Sequence, residues 1–199
     1  MNRAVRLIVA VFLATACSGT LNGRPSATNA PGGARTDAHP SRTSDSTVEP
    51  ISADLPLWQT ADMRDVRTGE TFSVSELSGR VVVIEPMAIW CVSCRAQQDA
   101  ARDALSVLDS EQLVYLSLDI DPNDTEPELA SYAEERGYEW RFVLASVDVA
   151  RSLAESFGDQ VLSPPSTPKI LIAPDGQASV SFGFKTAAEL HAELAAMLP

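Results

Sequence analysis

Two cysteines separated by two residues, Cys91-Val92-Ser93-Cys94, are the side chains in this sequence whose types and spacing best suit chemistry. A helix beginning at Cys91 presents that thiol to unsatisfied backbone N–H groups and to the positive end of the helix dipole. Both favour thiolate over thiol and pull the pKa below the free value of about 8.5. Cys94 then lies one turn along the same face, close enough to close a disulfide. In that arrangement Cys91 attacks a disulfide and Cys94 resolves the mixed disulfide that forms. The Cys91–Cys94 couple is itself the redox group, and no cofactor or metal is expected. A structural zinc site needs about four Cys or His ligands, whereas the chain adds only Cys17, His39 and His191. A purely structural disulfide is permitted in an exported protein. Closing a two-residue gap, however, removes little loop entropy.

The elements around the pair must hold Cys91 at a helix start. Residues 80–85 (Arg-Val-Val-Val-Ile-Glu) form a continuous β-branched run, as in a central strand buried on both faces. The spacing of Ala96, Ala100, Ala104 and Leu108 predicts a helix over about 91–108. Before the strand, 63–66 and 70–73 flank Thr68-Gly69 and read as a small hairpin. After the helix come a strand at 113–120 and a helix introduced by the capping box Thr125-Glu126-Pro127-Glu128 and ended near Gly137. A short strand at 141–145, a helix at 148–157 and the loop Ser163-Pro164-Pro165-Ser166-Thr167-Pro168 follow. Strands at 169–173 and 178–182 join through Pro174-Asp175-Gly176, and 186–198 is an amphipathic helix. This order implies an α/β fold, a central mixed sheet flanked by helices, with an N-terminal β-hairpin extension.

The N-terminal quarter has a different composition. Arg3 and Arg6 precede an apolar run, 7–14, and small residues lead to Cys17. This is the layout of an export signal over residues 1–16, and the run is shorter than the ~20 residues of a spanning helix. Ala14-Thr15-Ala16 fits an A-x-A cleavage site, which would release a soluble periplasmic or secreted protein. The same segment followed by Cys17 resembles a bacterial lipobox, in which Cys17 is lipidated and anchors the chain on the extracytoplasmic side. Leu13 sits one place further from the cysteine than that motif usually has it. Lipidation also removes the odd thiol that a soluble product would carry at its first residue. Residues 17–53 are rich in Gly, Pro, Ser, Thr and Asn without apolar periodicity, and are read as a flexible linker. Residues 54–199 hold 10 basic and 24 acidic side chains, net −14, which argues against nucleic acid or anionic membrane as a partner of the domain surface.

Val82-Val83-Ile84-Glu85, Trp90-Cys91-Val92-Ser93-Cys94, Ser166-Thr167-Pro168-Lys169-Ile170-Leu171-Ile172 and Asp175-Gly176 together resemble the TlpA/ResA-type branch of the thioredoxin superfamily. The resemblance spans most of 54–199 and implies a thioredoxin-like fold. It further implies an exported, membrane-anchored thiol–disulfide oxidoreductase that reduces protein disulfides. Such proteins commonly serve cytochrome c or copper-site maturation and are fed by a membrane or extracytoplasmic thiol donor. Pro168 matches the family's cis-proline beside the disulfide, and Thr167 the residue whose backbone meets a bound peptide; a trans proline in an ordinary loop is the plain alternative. Glu85 matches a buried acid that shuttles the second cysteine's proton; an edge or surface glutamate is the alternative. Trp90 either caps the apolar rim of the site or is a packing tryptophan. Val92-Ser93 lacks the family's usual proline and the histidine of oxidising relatives, which tilts the pair toward reduction. Pro86-Met87 replaces the usual aromatic pair and leaves the local backbone open.

Two other families are weighed against this. A peroxiredoxin frame counted from Pro86 meets Trp90 and Ser93 instead of Thr and Cys. The segment Asp121-Pro122-Asn123-Asp124-Thr125 resembles Sco-type copper chaperones, and thiolates with Met87 would suit Cu(I). Those proteins, however, space their cysteines by three and use a histidine that this sequence lacks between Cys94 and His191. Asp119, Asp121 and Asp124 lack the glycine and terminal glutamate of a calcium loop.

Overall fold

The computed structural model describes residues 55–108 and 111–198; the export signal, Cys17 and the linker lie outside the described residues. The elements are α1 (Leu57–Thr60), β1 (Met63–Arg64), β2 (Thr71–Phe72), β3 (Val81–Met87), α2 (Val92–Leu105), β4 (Leu113–Asp119), α3 (Glu126–Arg136), β5 (Arg141–Leu144), α4 (Val147–Phe157), β6 (Lys169–Ile172), β7 (Ala178–Ser181) and α5 (Ala187–Met197). Strands β5-β4-β3-β6-β7 form one sheet, parallel through β5, β4 and β3 and antiparallel from β3 to β6 and β7. β1 and β2 form a separate antiparallel pair, tied to β5 by Val66 N–H donating to Phe142 O at 2.8 Å.

All seven residues of β3 are buried, as the apolar run 81–84 requires of a central strand, and Glu85 is buried with them. The strand runs past Glu85 through Pro86 to Met87. Met87 O accepts from Ile120 N–H at 3.0 Å and so faces β4. Pro86, one residue before, therefore turns its missing donor toward β6, beyond the last β3–β6 pair, Ile84↔Ile170. No ladder bond is lost.

Alternation along the strands separates two cores. Val82, Ile84, Leu116, Leu118, Val143, Ile170 and Ile172 pack with Trp58 of α1 and with Val149 and Leu153 of α4. On the other face, Val81, Val83, Tyr115 and Leu171 meet Ala101 and Ala104 of α2 and Leu190 and Leu194 of α5. Met87, Cys91 and Cys94 continue that face against Leu129, Tyr132 and Ala133 of α3 and Phe142 of β5.

The buried side of α2 differs from the expected alanine stripe. It consists of Cys94, Gln97, Gln98, Ala101 and Ala104, whereas Ala96 is exposed and the helix stops at Leu105, short of Leu108. Two glutamines can occupy this face because polar groups from distant segments satisfy them. Tyr132 OH donates to Gln98 Oε1 at 2.5 Å, and Lys185 N–H donates to Gln97 Oε1 at 2.7 Å. At α3, Thr125 and Glu128 form the expected capping box, and Gly137 closes the helix at φ +66°, a left-handed conformation that favours glycine. The short helix α1 lies just before the hairpin, at the edge of the segment that composition marks as linker. It buries Trp58, whose indole N–H donates to Ser156 Oγ at 3.0 Å.

Candidate active site

Cys91 is the N-cap of α2 and is bonded to Cys94 as a disulfide, with the Cα atoms 5.3 Å apart. Its Sγ accepts the Cys94 backbone N–H at 3.1 Å, one of the donors a helix N-terminus leaves unpaired. Ser93 Oγ lies 3.4 Å from Cys91 Sγ and 3.3 Å from Pro165 O, so one hydroxyl is placed between the sulfur and the proline-rich loop. Cys94 Sγ lies 3.2 Å from Pro164 O. In the disulfide this is a contact only; in the dithiol the Cys94 S–H has that carbonyl as acceptor. Both sulfurs are enclosed, with Cys91 1% and Cys94 0% exposed.

The 163–168 loop that covers the pair contains a tight turn, Pro164–Ser166, followed by Thr167 in a left-handed conformation (φ 44°, ψ 59°). That conformation is costly for a β-branched residue and persists only where the surroundings over-determine it. They do so here. Thr167 N–H donates to Pro164 O at 2.9 Å, and Thr167 O accepts from Lys169 Nζ at 2.9 Å. Thr167 is 1% exposed, its Oγ1 has no partner, and Pro168 is buried beside it. The Thr167 backbone groups assigned to peptide recognition are thus engaged within the chain in this state.

Glu85 is neither an edge nor a surface glutamate. It stands on the central strand, 0% exposed, on the α2 face that the alternation of Val81 and Val83 defines. Tyr115 OH donates to its Oε2 at 2.8 Å, and Oε1 has no partner. Burial pushes the carboxyl up to about 8, against the opposing pull of the Tyr115 hydrogen bond and the Lys169 charge. Trp90 is 56% exposed and belongs to the rim, not to the core. Its indole N–H donates to Asp121 Oδ2 at 2.6 Å, which holds the ring beside Cys91. Val92 and Phe184 are also exposed, the latter between Gly183, bonded to Ser166 O, and Lys185, bonded to Gln97.

Lys169 and Tyr115 escaped the sequence reading. The signal that could have found the first is a lysine opening the run Lys-Ile-Leu-Ile right after Pro168, since a strand buried on both faces has no solvent for an ammonium. Nothing in the local sequence marks Tyr115. The Asp119, Asp121 and Asp124 cluster serves the backbone: Asp119 Oδ1 accepts from Asp121 N–H at 3.0 Å, and Asp124 Oδ2 from Ile89 N–H at 3.3 Å. Burial raises Asp119 to about 8. Among the described residues, no group of three or more His, Cys, Asp or Glu side chains is arranged to hold a metal ion.

No family model matches the chain, and no curated protein does. Solved structures do. One is a thiol:disulfide interchange protein of the thioredoxin family from Chlorobium tepidum TLS, at 18% identity and a TM-score of 0.58, covering 69% of this chain and 92% of that one. A secreted Mycobacterium tuberculosis disulfide oxidoreductase, homologous to E. coli DsbE, matches at 14% identity and a TM-score of 0.54, over 68% and 94% of the two chains. A thiol-disulfide isomerase from Corynebacterium glutamicum matches at 20% identity and a TM-score of 0.52, over 66% and 89%. The described part of the chain therefore has a thioredoxin-like fold, with Cys91 and Cys94 at the start of the helix that follows its central strand.

Proposed function

We propose that this protein is a thiol–disulfide oxidoreductase of the TlpA/ResA type, exported and held at the membrane through Cys17, that reduces protein disulfides in cytochrome c or copper-site maturation. The observation that carries the activity is the environment of Cys91 Sγ, an N-cap sulfur that accepts the Cys94 N–H at 3.1 Å. In the reduced protein the Cys91 thiolate attacks a substrate disulfide. A Cys91–substrate S–S bond forms, the substrate's own S–S bond breaks, and one substrate thiolate leaves. Cys94 then passes its proton to the Glu85 carboxylate and attacks Cys91 Sγ. The Cys91–Cys94 bond forms, and the second substrate thiolate leaves to be protonated by solvent. Two electrons have moved from the dithiol to the substrate, and an upstream extracytoplasmic thiol donor must return them. Trp90 forms the exposed rim that meets substrate, and Thr167 and Pro168 form the buried edge that a bound peptide must reach. The absence of histidine at Val92-Ser93 favours the reducing direction, since the thiolate lacks a cationic neighbour between the cysteines.

The test is insulin reduction by the purified domain with dithiothreitol as electron source. The wild type is expected to turn over and Cys91→Ser to be inactive; full activity in the double-cysteine variant would end the redox reading. A second reading follows from Met87, which packs in one cluster with both cysteines. Tight Cu(I) binding by the reduced protein without reductase turnover would move the function to a Sco-like copper chaperone.

A further inference from the structure

Lys169 follows Pro168 directly, opens β6 and is 0% exposed. Leu171 belongs to the α2-side core, and Ile170 and Ile172 to the opposite one, so the two-residue period turns Lys169 toward α2. There Nζ donates to Thr167 O at 2.9 Å, Gly183 O at 2.8 Å and Gln97 Oε1 at 3.2 Å. Those bonds use the donors of an ammonium on three segments: the loop over the disulfide, the turn after β7, and α2 one turn past Cys94. All the acceptors are neutral, and Lys169 makes no ion pair among the described residues. Extending the β3–β6 register Val82↔Ile172, Val83↔Leu171, Ile84↔Ile170 by one step sets Glu85 opposite Lys169. Directly opposed residues on one face of an antiparallel pair have Cβ atoms roughly 5 Å apart.

We propose that Lys169 is the positioning residue of the second thiol step: its buried ammonium, opposite Glu85, keeps that carboxyl able to ionise and accept the Cys94 proton while it fastens the Thr167 carbonyl and α2 together. This rests on the reading of Glu85 as the proton acceptor. The sign follows from charge. Burial disfavours the Glu85 carboxylate, and the Lys169 cation opposes that burial. Reciprocally, burial lowers Lys169 to about 8 while Glu85 holds it up. The other charged or titratable groups around the pair are Tyr115 from β4, Tyr132 from α3, Cys94 from α2, Lys185 before α5 and Glu193 on α5. Burial holds both tyrosines above their ordinary range, so they stay neutral, and Lys185 is paired with Glu193. Between about pH 5 and pH 9 the step therefore answers to Glu85, Lys169 and the Cys94 thiol.

The experiment mixes fully reduced protein with oxidised glutathione. It follows decay of the protein–glutathione mixed disulfide by acid quench and intact mass, across about pH 5 to pH 9. Lys169→Met and Lys169→Gln are expected to move the midpoint of the resolution rate upward by about one pH unit, a roughly tenfold loss on its acid side. Lys169→Arg should keep the wild-type midpoint, and Glu85→Gln/Lys169→Gln should be no slower than Glu85→Gln. A Lys169→Gln protein with the wild-type midpoint, whatever its melting temperature, overturns the proposal. So does a Lys169→Arg protein shifted as far as Lys169→Gln. A wild-type profile in Glu85→Gln is a separate failure, of the Glu85 reading itself.

Discussion

Replacing Glu85 by Gln makes permanently neutral a group that burial already drives toward neutrality. The carboxyl rises from its ordinary 4.5 to about 8 on folding, because β3 carries it out of water and only Tyr115 OH bonds it. A folded-state pKa above the unfolded one means that the native protein binds this proton more tightly. The stability it contributes is complete below about pH 4.5 and declines as the pH rises toward 8. The slope is about 1.4 kcal/mol per pH unit, which amounts to about 3 kcal/mol at pH 7 and about 5 kcal/mol over the whole window. Glu85→Gln escapes that loss. The variant should match the wild type within about 1 kcal/mol near pH 5 and exceed it by about 3 kcal/mol at pH 7. Urea unfolding of the disulfide-intact proteins at a series of pH values measures this. The difference between the two proteins isolates Glu85 from Asp119, which burial shifts in the same direction. A variant-minus-wild-type difference that does not change with pH would refute the reasoning. One that reverses sign would show that Lys169 more than compensates the buried carboxylate. The same substitution should slow mixed-disulfide resolution, so stability and turnover move in opposite directions.

Ser93→Ala removes the hydroxyl 3.4 Å from Cys91 Sγ. Loss of a donor worth about 1.5 kcal/mol to a thiolate should raise the Cys91 pKa by about one unit, read from thiolate absorbance against pH. It should also make the couple more reducing by on the order of 30 mV, read by equilibration with glutathione; an unchanged pKa would show that the hydroxyl stays on Pro165 O. Mass spectrometry of the mature protein from membranes should find Cys17 as a lipidated N-terminus, and an unmodified Cys17 or a cut elsewhere would remove the anchor.

The oxidised site in this structure is closed, and that bears on how it must work. Cys91 is 1% exposed beneath a loop whose Thr167 backbone bonds are already made. A substrate peptide that takes up those bonds has to compete with Pro164 O and Lys169 Nζ for them. Trp90, held by Asp121, is by contrast already presented to solvent.

The features legible in the sequence are those that short-range physics dictates. A β-branched run followed by Cys-x-x-Cys and a helical pattern points to a sulfur at a helix N-terminus, and Cys91 is the N-cap of α2. The Thr125–Glu128 capping box and the Gly137 stop are likewise contained within one helix. Tertiary structure decided what lies across from what. Glu85 reads equally as edge or core until the strand order puts β3 in the middle of the sheet, between β4 and β6. Gln97 and Gln98 lie off the stripe of Ala96, Ala100, Ala104 and Leu108, and their burial is possible only because Lys185, Lys169 and Tyr132 arrive from far along the chain to satisfy them. Lys169 looks like a strand boundary until the β3–β6 register, continued one step past Ile84↔Ile170, brings it opposite Glu85. A buried charge or amide is tolerable only when its partners are present, and those partners come from segments that meet only in the folded sheet. The placement of the two sulfurs is thus a local property of residues 91–94, whereas the buried carboxyl, amides and ammonium behind them find their partners only once the strands have paired.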